Sequence, residues 1–162
     1  TGEFAAANNL ASLSDLGAYS QSSPVRLGGP PECPERPFCQ PGLEQVYGVS
    51  VESFKPLDAG GPLTVQDLLN GGIDVGLVFS SAGNVTANDL VVLEDDQGLQ
   101  TAENILPAVH TGSLTDTISQ ALDSVSAALT TEDLQRMNEQ VDVERQNPDD
   151  VAEQFLIDNG LL

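Results

Sequence analysis

Residues 30–43 constrain the fold of this chain most, because they hold five prolines and the only two cysteines of the sequence. Proline fixes its backbone φ angle and lacks an N–H donor, so this density of proline excludes a regular helix or strand and predicts an ordered loop. Cys33 and Cys39 lie six residues apart, close enough to form a disulfide. Such a bridge would hold Arg36 and Phe38 on a rigid loop, which is how a binding loop is preorganised. The alternative is a pair of buried or metal-binding thiols, although two cysteines without a nearby histidine make a poor zinc site.

The charge balance is strongly acidic, with 25 aspartates and glutamates against 5 lysines and arginines, and a net charge of −20 at pH 7. Such a chain repels phosphate backbones and anionic lipids, so we expect neither nucleic acid nor a membrane surface as a partner. The charge favours solubility, and its field would also attract cationic solutes. The expected disulfide predicts a location outside the cytosol.

The sequence carries little support for catalysis. His110 is the only histidine and has no evident partner, and the two cysteines lack the two-residue spacing of redox motifs. The acidic run 94–96 could bind Mg²⁺ or Ca²⁺, but a lone run of this kind is usually a solvated turn. Gly71 and Gly72 lack the lysine that follows in a phosphate-binding loop. We therefore expect no enzyme, no metal site and no cofactor.

Hydrophobic patterning predicts strands alternating with helices up to about residue 110. The expected helices are 12–19, 41–47 and 64–70, and the expected strands are 25–29, 49–57, 73–79, 90–93 and 104–109. Segment 73–79 is a nearly continuous apolar run, typical of a strand buried on both faces. The alternation predicts an α/β unit with a largely parallel sheet. The pattern then becomes helical, with helices expected at 113–129 and beginning again at Thr131 and at Pro148.

Several short segments occur in the order and spacing of a known family: SLSDL at 12–16, PEC at 31–33, VVLEDD at 91–96, LTTEDLQRMN at 129–138 and PDDVAEQFL at 148–156. On these segments the chain resembles the substrate-binding proteins of osmoprotectant ABC transporters, the group for glycine betaine, choline and proline betaine. The resemblance runs over nearly the whole chain.

The resemblance implies a domain organisation. Proteins of this family have two α/β lobes that close on a ligand, and they are nearly twice as long as this chain. Residues 10–102 are expected to form the second lobe, a three-layer α/β unit of the type II periplasmic-binding-protein kind. Residues 103–162 are expected to be the return hinge and the C-terminal helices, so the fold would be partial. Residues 1–9 are expected to be a tag or a disordered end, because TGEF is similar to a cloning remnant.

The resemblance also implies ligand-binding residues before the hinge. Family ligands carry a quaternary ammonium, bound by aromatic faces, and usually a carboxylate, held by arginine. Arg36 matches the family's arginine and would clamp a carboxylate; the alternative is a surface arginine that neutralises nearby glutamates. Phe79 matches an aromatic position that faces the cleft in relatives; the alternative is core packing. Ser80 follows it, where relatives often read Thr-Asp-Gly, and the missing aspartate falls at Ala82.

At the return hinge, relatives often have an aromatic cluster, and residues 99–104 of this chain contain no aromatic ring. Glu103 would supply a counter-charge to a cationic solute, or be a solvated hinge residue. Asn104 would donate a hydrogen bond to the ligand, or hold the hinge backbone.

The resemblance implies partners and a location as well. The partners are a small cationic or zwitterionic solute and an ABC permease. Apart from the resemblance, the apolar faces of the C-terminal helices predict homo-oligomers, because an exposed apolar patch of that size favours self-association. The location is extracytoplasmic, either periplasmic or lipid-anchored at the cell surface. The alternative is a non-transport scaffold or interaction fragment of the same fold that binds no small molecule.

Overall fold

The sheet consists of short parallel strands. The computed structural model describes residues 1–101 and 103–162, and in it β1 (Val25–Gly29) pairs with β2 (Val51–Pro56) on one side and with β3 (Val75–Gly76) on the other. Leu27 of β1 lies opposite Phe54 and Val75. The pairing of β1 with β2 shifts register between Val25 and Arg26. The expected α/β unit with a parallel sheet is therefore confirmed.

The helices follow the capping signals of the sequence. They are α1 (Gly2–Asn8), α2 (Leu13–Ser20), α3 (Gln40–Tyr47), α4 (Pro62–Leu69), α5 (Gly83–Ala87), α6 (Asp116–Ala128), α7 (Thr131–Asn138) and α8 (Pro148–Asp158), with a π-helical turn at Glu139–Val143. Ser12 and Asp15 form a capping box at the start of α2. Gly48 ends α3 with φ at 66°, a conformation that favours glycine. Helices were predicted at all these places except α1, α5 and the π-helical turn.

Three predicted strands differ from the structure. Within segment 73–79 only Val75–Gly76 pairs with β1, and Phe79 is 56 % exposed, so the run is not buried on both faces. Segment 90–93 forms no strand; the bridge there joins Glu94 to Ser12, just before α2. Segment 104–109 is not a strand either, and Leu106 is 80 % exposed. Segments 90–93 and 104–109 have the apolar side chains of a strand but form no strand pairing in the described part of the chain, and segment 73–79 pairs with β1 only at its centre.

The first nine residues also differ from the expectation of a disordered end. They form α1, whose N-cap is Thr1 and whose Ala5 side chain is buried. The Phe4 ring packs edge-to-face against Tyr19 of α2, with ring centroids 5.7 Å apart. Gly2 N–H donates a 2.7 Å hydrogen bond to the carbonyl of Asp89. The segment is therefore an ordered helix that contacts α2 and Asp89.

The apolar core lies between β1 and the helices α2 and α3. Leu16, Val25, Tyr47 and Val49 form its buried centre. A second cluster surrounds Leu27 and includes both cysteines. This second cluster thus packs directly against the loop that follows β1.

The C-terminal helices differ in how they are packed. No residue of α6 is buried, and Leu114 and Ile118 are exposed. By contrast, α7 and the π-helical turn pack against α5, and α8 buries Val151 and Phe155. Among the residues that the structure describes, no helix is long and apolar enough to cross a membrane.

An ion pair fixes β1 to the turn that precedes β3. The Arg26 guanidinium donates to both carboxylate oxygens of Asp74, at 3.0 and 2.6 Å, and to the carbonyl of Gly71 at 2.8 Å. The backbone N–H of Arg26 donates to the same carboxylate. The hydrogen bonds from the Arg26 side chain are the main reason that the pKa of Asp74 lies below its usual 3.8.

We predict that Asp74→Asn lowers the free energy of unfolding by about 1–2 kcal/mol at pH 7, at the low end for charged hydrogen bonds because Arg26 is partly exposed. The pKa of Asp74 is lower in the folded state than in the unfolded state. The Asp74 carboxylate therefore stabilises the fold fully above the unfolded-state pKa, and this stabilisation is lost as the pH falls through the folded-state pKa. Urea unfolding of both proteins from pH 7 to pH 2 measures the difference. The control is Glu153→Gln on the exposed face of α8; an equal effect there would contradict the prediction.

Candidate functional site

Three loops meet at one edge of the sheet, because the strands are parallel and their carboxyl ends point the same way. They are residues 30–39 after β1, 57–61 after β2 and 77–82 after β3; we call them together the carboxyl edge. Leu77 packs against the cluster of Leu27, Cys33 and Cys39, so the third loop lies next to the first. A Cβ atom built on Gly60 would lie 2.8 Å from Val78 Cα, which places the second loop against the third.

The loop after β1 is closed by a disulfide, as predicted. Cys33 and Cys39 are bonded with their Cα atoms 5.2 Å apart, and both are buried against Leu27. Two backbone hydrogen bonds tighten the loop, from Arg36 N–H to Cys33 O and from Cys39 N–H to Arg36 O. The loop is therefore rigid at its base.

Arg36 and Phe38 lie on the outer surface of this loop. The Arg36 guanidinium lies 3.7 Å from the Glu32 carboxylate, and both side chains are largely exposed. The Phe38 ring is 59 % exposed. An exposed ion pair of this length contributes little free energy. The arginine is thus a surface residue next to a glutamate, as one alternative expected, and its guanidinium is accessible to a ligand.

Phe79 and Ser80 lie on the loop after β3. More than half of the Phe79 surface is accessible, so core packing, the alternative for this residue, is wrong. Ser80 is exposed, and its carbonyl accepts a hydrogen bond from Gln135 on α7. The helix α5 that follows this loop contacts the Gly60 loop, since Asn84 Nδ2 donates to Gly60 O at 3.1 Å.

Glu103 and Asn104 lie in an extended segment that precedes α6. Both are exposed. Within the described ranges, 1–101 and 103–162, the hydrogen bonds do not join either side chain to the carboxyl edge. The structure thus brings Arg36, Phe79 and Ser80 to one edge of the sheet, whereas Glu103 and Asn104 lie outside the three loops that form this edge.

The buried Tyr47 side chain has hydrogen-bond partners that the sequence patterns did not reveal. The Tyr47 hydroxyl donates to Asp95 Oδ1 and accepts from Gln97 N–H at 2.8 Å. Asp95 also accepts from the backbone N–H groups of Leu99 and Gln100, at 2.9 and 2.6 Å. Burial raises the pKa of Asp95, but these hydrogen bonds outweigh it and the net pKa is lowered. Burial and the Asp95 contact both raise the pKa of Tyr47. A buried tyrosine usually needs a hydrogen-bond partner, which was the available signal.

The turn around Asp95 is tied to the carboxyl edge. Gln100 Nε2 donates to Phe38 O at 2.6 Å, and a Cβ atom built on Gly42 would lie 2.5 Å from Leu99 Cδ1. The acidic run 94–96, expected to be a solvated turn, therefore contains a carboxylate that anchors the loop after β1.

The loop after β2 is held by Asp58, which the sequence analysis also missed. Its carboxylate accepts from Leu63 N–H at 3.0 Å, from Thr64 N–H at 2.9 Å and from Thr64 Oγ1 at 2.7 Å. Thr64 is fully buried. Asp58 thus satisfies donors at the start of α4 and fixes the path of its own loop.

Comparison with known families gives a match over residues 1–158. The matching family is OpuAC, described as the substrate-binding domain of ABC-type glycine betaine transport systems. The chain is also 28 % identical over 166 residues to the glycine betaine-binding protein YehZ of Escherichia coli strain K12, a match that covers 98 % of this chain and 54 % of that protein.

Two solved structures have the same fold. One is described as a glycine betaine/carnitine/choline ABC transporter; it has a TM-score of 0.82 and 28 % identity, with 99 % of this chain and 58 % of that chain covered. The other is apo YehZ from Escherichia coli, with a TM-score of 0.71, 26 % identity, and 99 % and 60 % of the two chains covered. The chain thus spans between about half and three fifths of the length of these relatives.

We predict that replacing both cysteines with serine lowers the free energy of unfolding by about 2 kcal/mol, the chain-entropy value for so short a loop. Alkylation without reductant followed by intact-mass measurement should detect no free thiol in the unmodified protein. Two labelled cysteines, or equal stability of the double variant and the oxidised protein, would refute the bridge as a stabilising element.

We predict that Tyr47→Phe lowers the free energy of unfolding by about 1–2 kcal/mol, because the ring stays while Asp95 and Gln97 lose a buried partner. Tyr19→Phe is the matched control, since Tyr19 contributes its ring to the contact with Phe4. Urea denaturation of the two variants measures the difference. Equal losses in both would mean that the Tyr47 hydroxyl does not stabilise the turn.

Proposed function

This chain belongs to the family of substrate-binding domains of ABC-type glycine betaine transport systems, and from that premise we propose that it takes part in solute capture for an importer. The proposed solutes are osmoprotectants such as glycine betaine, choline or a related quaternary amine. The role is binding rather than catalysis.

The observation that carries the proposal is the exposure of two aromatic rings and one arginine at the carboxyl edge. Phe38 and Phe79 are both more than half exposed on loops that follow adjacent parallel strands. A quaternary ammonium is attracted to the face of such rings. Arg36, on the same disulfide-closed loop as Phe38, would hold the carboxylate of a betaine. The disulfide supports this role because a rigid loop loses little entropy on binding.

Three further residues complete the proposed site. Ser80 follows Phe79 and offers its hydroxyl to the solute. Glu103 would supply a counter-charge to the ammonium, and Asn104 would donate a hydrogen bond. The net charge of −20 would raise the local concentration of cationic solutes.

The proposal extends to partners and location. The solute would be delivered to an ABC permease, at an extracytoplasmic location that is either periplasmic or lipid-anchored at the cell surface. A disulfide suits such an oxidising compartment. Copies of the chain would associate through the exposed apolar side chains of Leu114, just before α6, and Ile118, in its first turn.

The expected affinity of this chain is weak. Each ring contributes at most about 2 kcal/mol through cation–π attraction, and Arg36 at most about 3 kcal/mol through a charge-assisted hydrogen bond. Together they correspond to a dissociation constant of about 10 µM before the loss of rigid-body freedom is included. Including even part of that loss gives an affinity in the millimolar range.

We predict that calorimetric titration gives millimolar dissociation constants for glycine betaine and for choline. Phe79→Ala should weaken both, whereas Arg36→Ala should weaken glycine betaine more, because choline lacks a carboxylate. Arg145→Ala, which removes another exposed arginine, is the control. A dissociation constant below about 10 µM that Arg36→Ala abolishes would contradict the weak affinity. No binding of either solute would favour the alternative, a scaffold of the same fold without a small-molecule ligand.

A further inference from the structure

The loop that carries Phe79 is held by two side chains from the far end of the sequence. Gln135 Nε2 donates to the carbonyl of Ser80 at 2.5 Å, and Asn138 Nδ2 donates to the carbonyl of Ser81 at 2.7 Å. Gln135 and Asn138 lie three residues apart on α7 and therefore share one face of that helix. The carbonyls of two consecutive loop residues thus accept hydrogen bonds from two side-chain amides that lie one turn apart on α7. We call this pair of hydrogen bonds the amide clamp.

Close packing next to the loop supports the same contact. Gly83 is the first residue of α5, and a Cβ atom built on it would overlap the backbone of Asn138 and Glu139. Thr86 of α5 donates from Oγ1 to the Glu139 carboxylate at 3.1 Å. Since only glycine fits this approach, the end of α7 lies directly against the start of α5.

The backbone of α7 changes geometry at this contact. Directly after Asn138 the helix continues as the π-helical turn Glu139–Val143. Such turns are rare and are often found at functional sites. Both amide donors lie in the segment LTTEDLQRMN, residues 129–138, and the irregular turn begins directly after it.

We propose that Gln135 and Asn138 are positioning residues for the carboxyl edge: the amide clamp sets the path of residues 79–82 and with it the place of the Phe79 ring. This inference rests on the proposed function, because Phe79 is the residue that would meet the solute. Loop carbonyls that bond to water leave the backbone free to move, whereas two fixed amide donors restrict it. A restricted loop loses less freedom when solute binds, and so binds more tightly.

The test uses variants that remove the donors and keep the shape. Gln135→Glu and Asn138→Asp each replace an NH₂ group with an oxygen, which places two acceptors opposite each other. Gln154→Glu on α8 is the matched control, because its amide donates within its own helix to Asp158 at 2.7 Å and the change in charge is the same. Hydrogen exchange of residues 77–85 is the first readout, with β1 as the internal reference. Residues 77–85 include the bond from Ala82 N–H to Phe79 O.

We expect each clamp variant to speed exchange of residues 77–85 by roughly five-fold, the effect of one lost hydrogen bond, with β1 and the control unchanged. Gln135→Glu alone decides the matter if the Asn138 variant fails to fold, since the Gln135 bond is at the surface. Exchange of residues 77–85 equal to that of the control would overturn the proposal.

Calorimetry with choline is the second readout and separates positioning from simple packing. If the unmodified chain binds choline, the clamp variants should bind it at least about three-fold more weakly while Gln154→Glu does not. Faster exchange of residues 77–85 together with an unchanged choline affinity would overturn the positioning role. If the unmodified chain binds neither choline nor glycine betaine, the proposed function fails for this chain, and the exchange experiment still decides whether the amide clamp holds the loop.

Discussion

The parallel pairing of β1 with both of its neighbours is the constraint on which the rest of the structure depends. Its five residues bury Val25 in the main core and Leu27 against the disulfide, so one short strand connects both clusters. Since all three strands run the same way, every loop at their carboxyl ends opens on one edge. Glycine at position 28 lets the Ile73 side chain pack against β1, because a Cβ atom there would lie 2.5 Å from that side chain.

Each loop of the carboxyl edge is fixed by a different kind of contact. The loop after β1 has a covalent bond and the turn around Asp95, and the loop after β2 has the Asp58 carboxylate. The loop after β3 is held by amides of α7. These contacts leave the rings of Phe38 and Phe79 exposed while the backbone beneath them is restrained. That combination suits recognition of a small solute, since a few contacts suffice only when little freedom is lost on binding.

The features that the sequence predicted well are local ones. The proline-rich loop, its disulfide and the helices expected at 12–19 and 41–47 each depend on residues only a few positions apart. The strands at 90–93 and 104–109 were wrong because an apolar run does not reveal whether a partner backbone lies beside it. For the candidate site, the family resemblance placed Arg36 and Phe79 at the sheet edge. The hydrogen bond between Tyr47 and Asp95 was not predicted, because the two residues are 48 positions apart and local sequence patterns do not relate them.

The attachment of the C-terminal helices has a thermodynamic consequence for the carboxyl edge. Helix α6 buries no residue, and α7 contacts the loop after β3 and α5 through side-chain amide bonds and close backbone packing at Gly83. Two of these bonds end on carbonyls of the loop 79–82, so the strength of the contact depends on how well that loop is ordered. Linkage then works in both directions. A solute that orders the Phe79 loop would strengthen the docking of α7 by the same free energy by which a docked α7 strengthens solute binding.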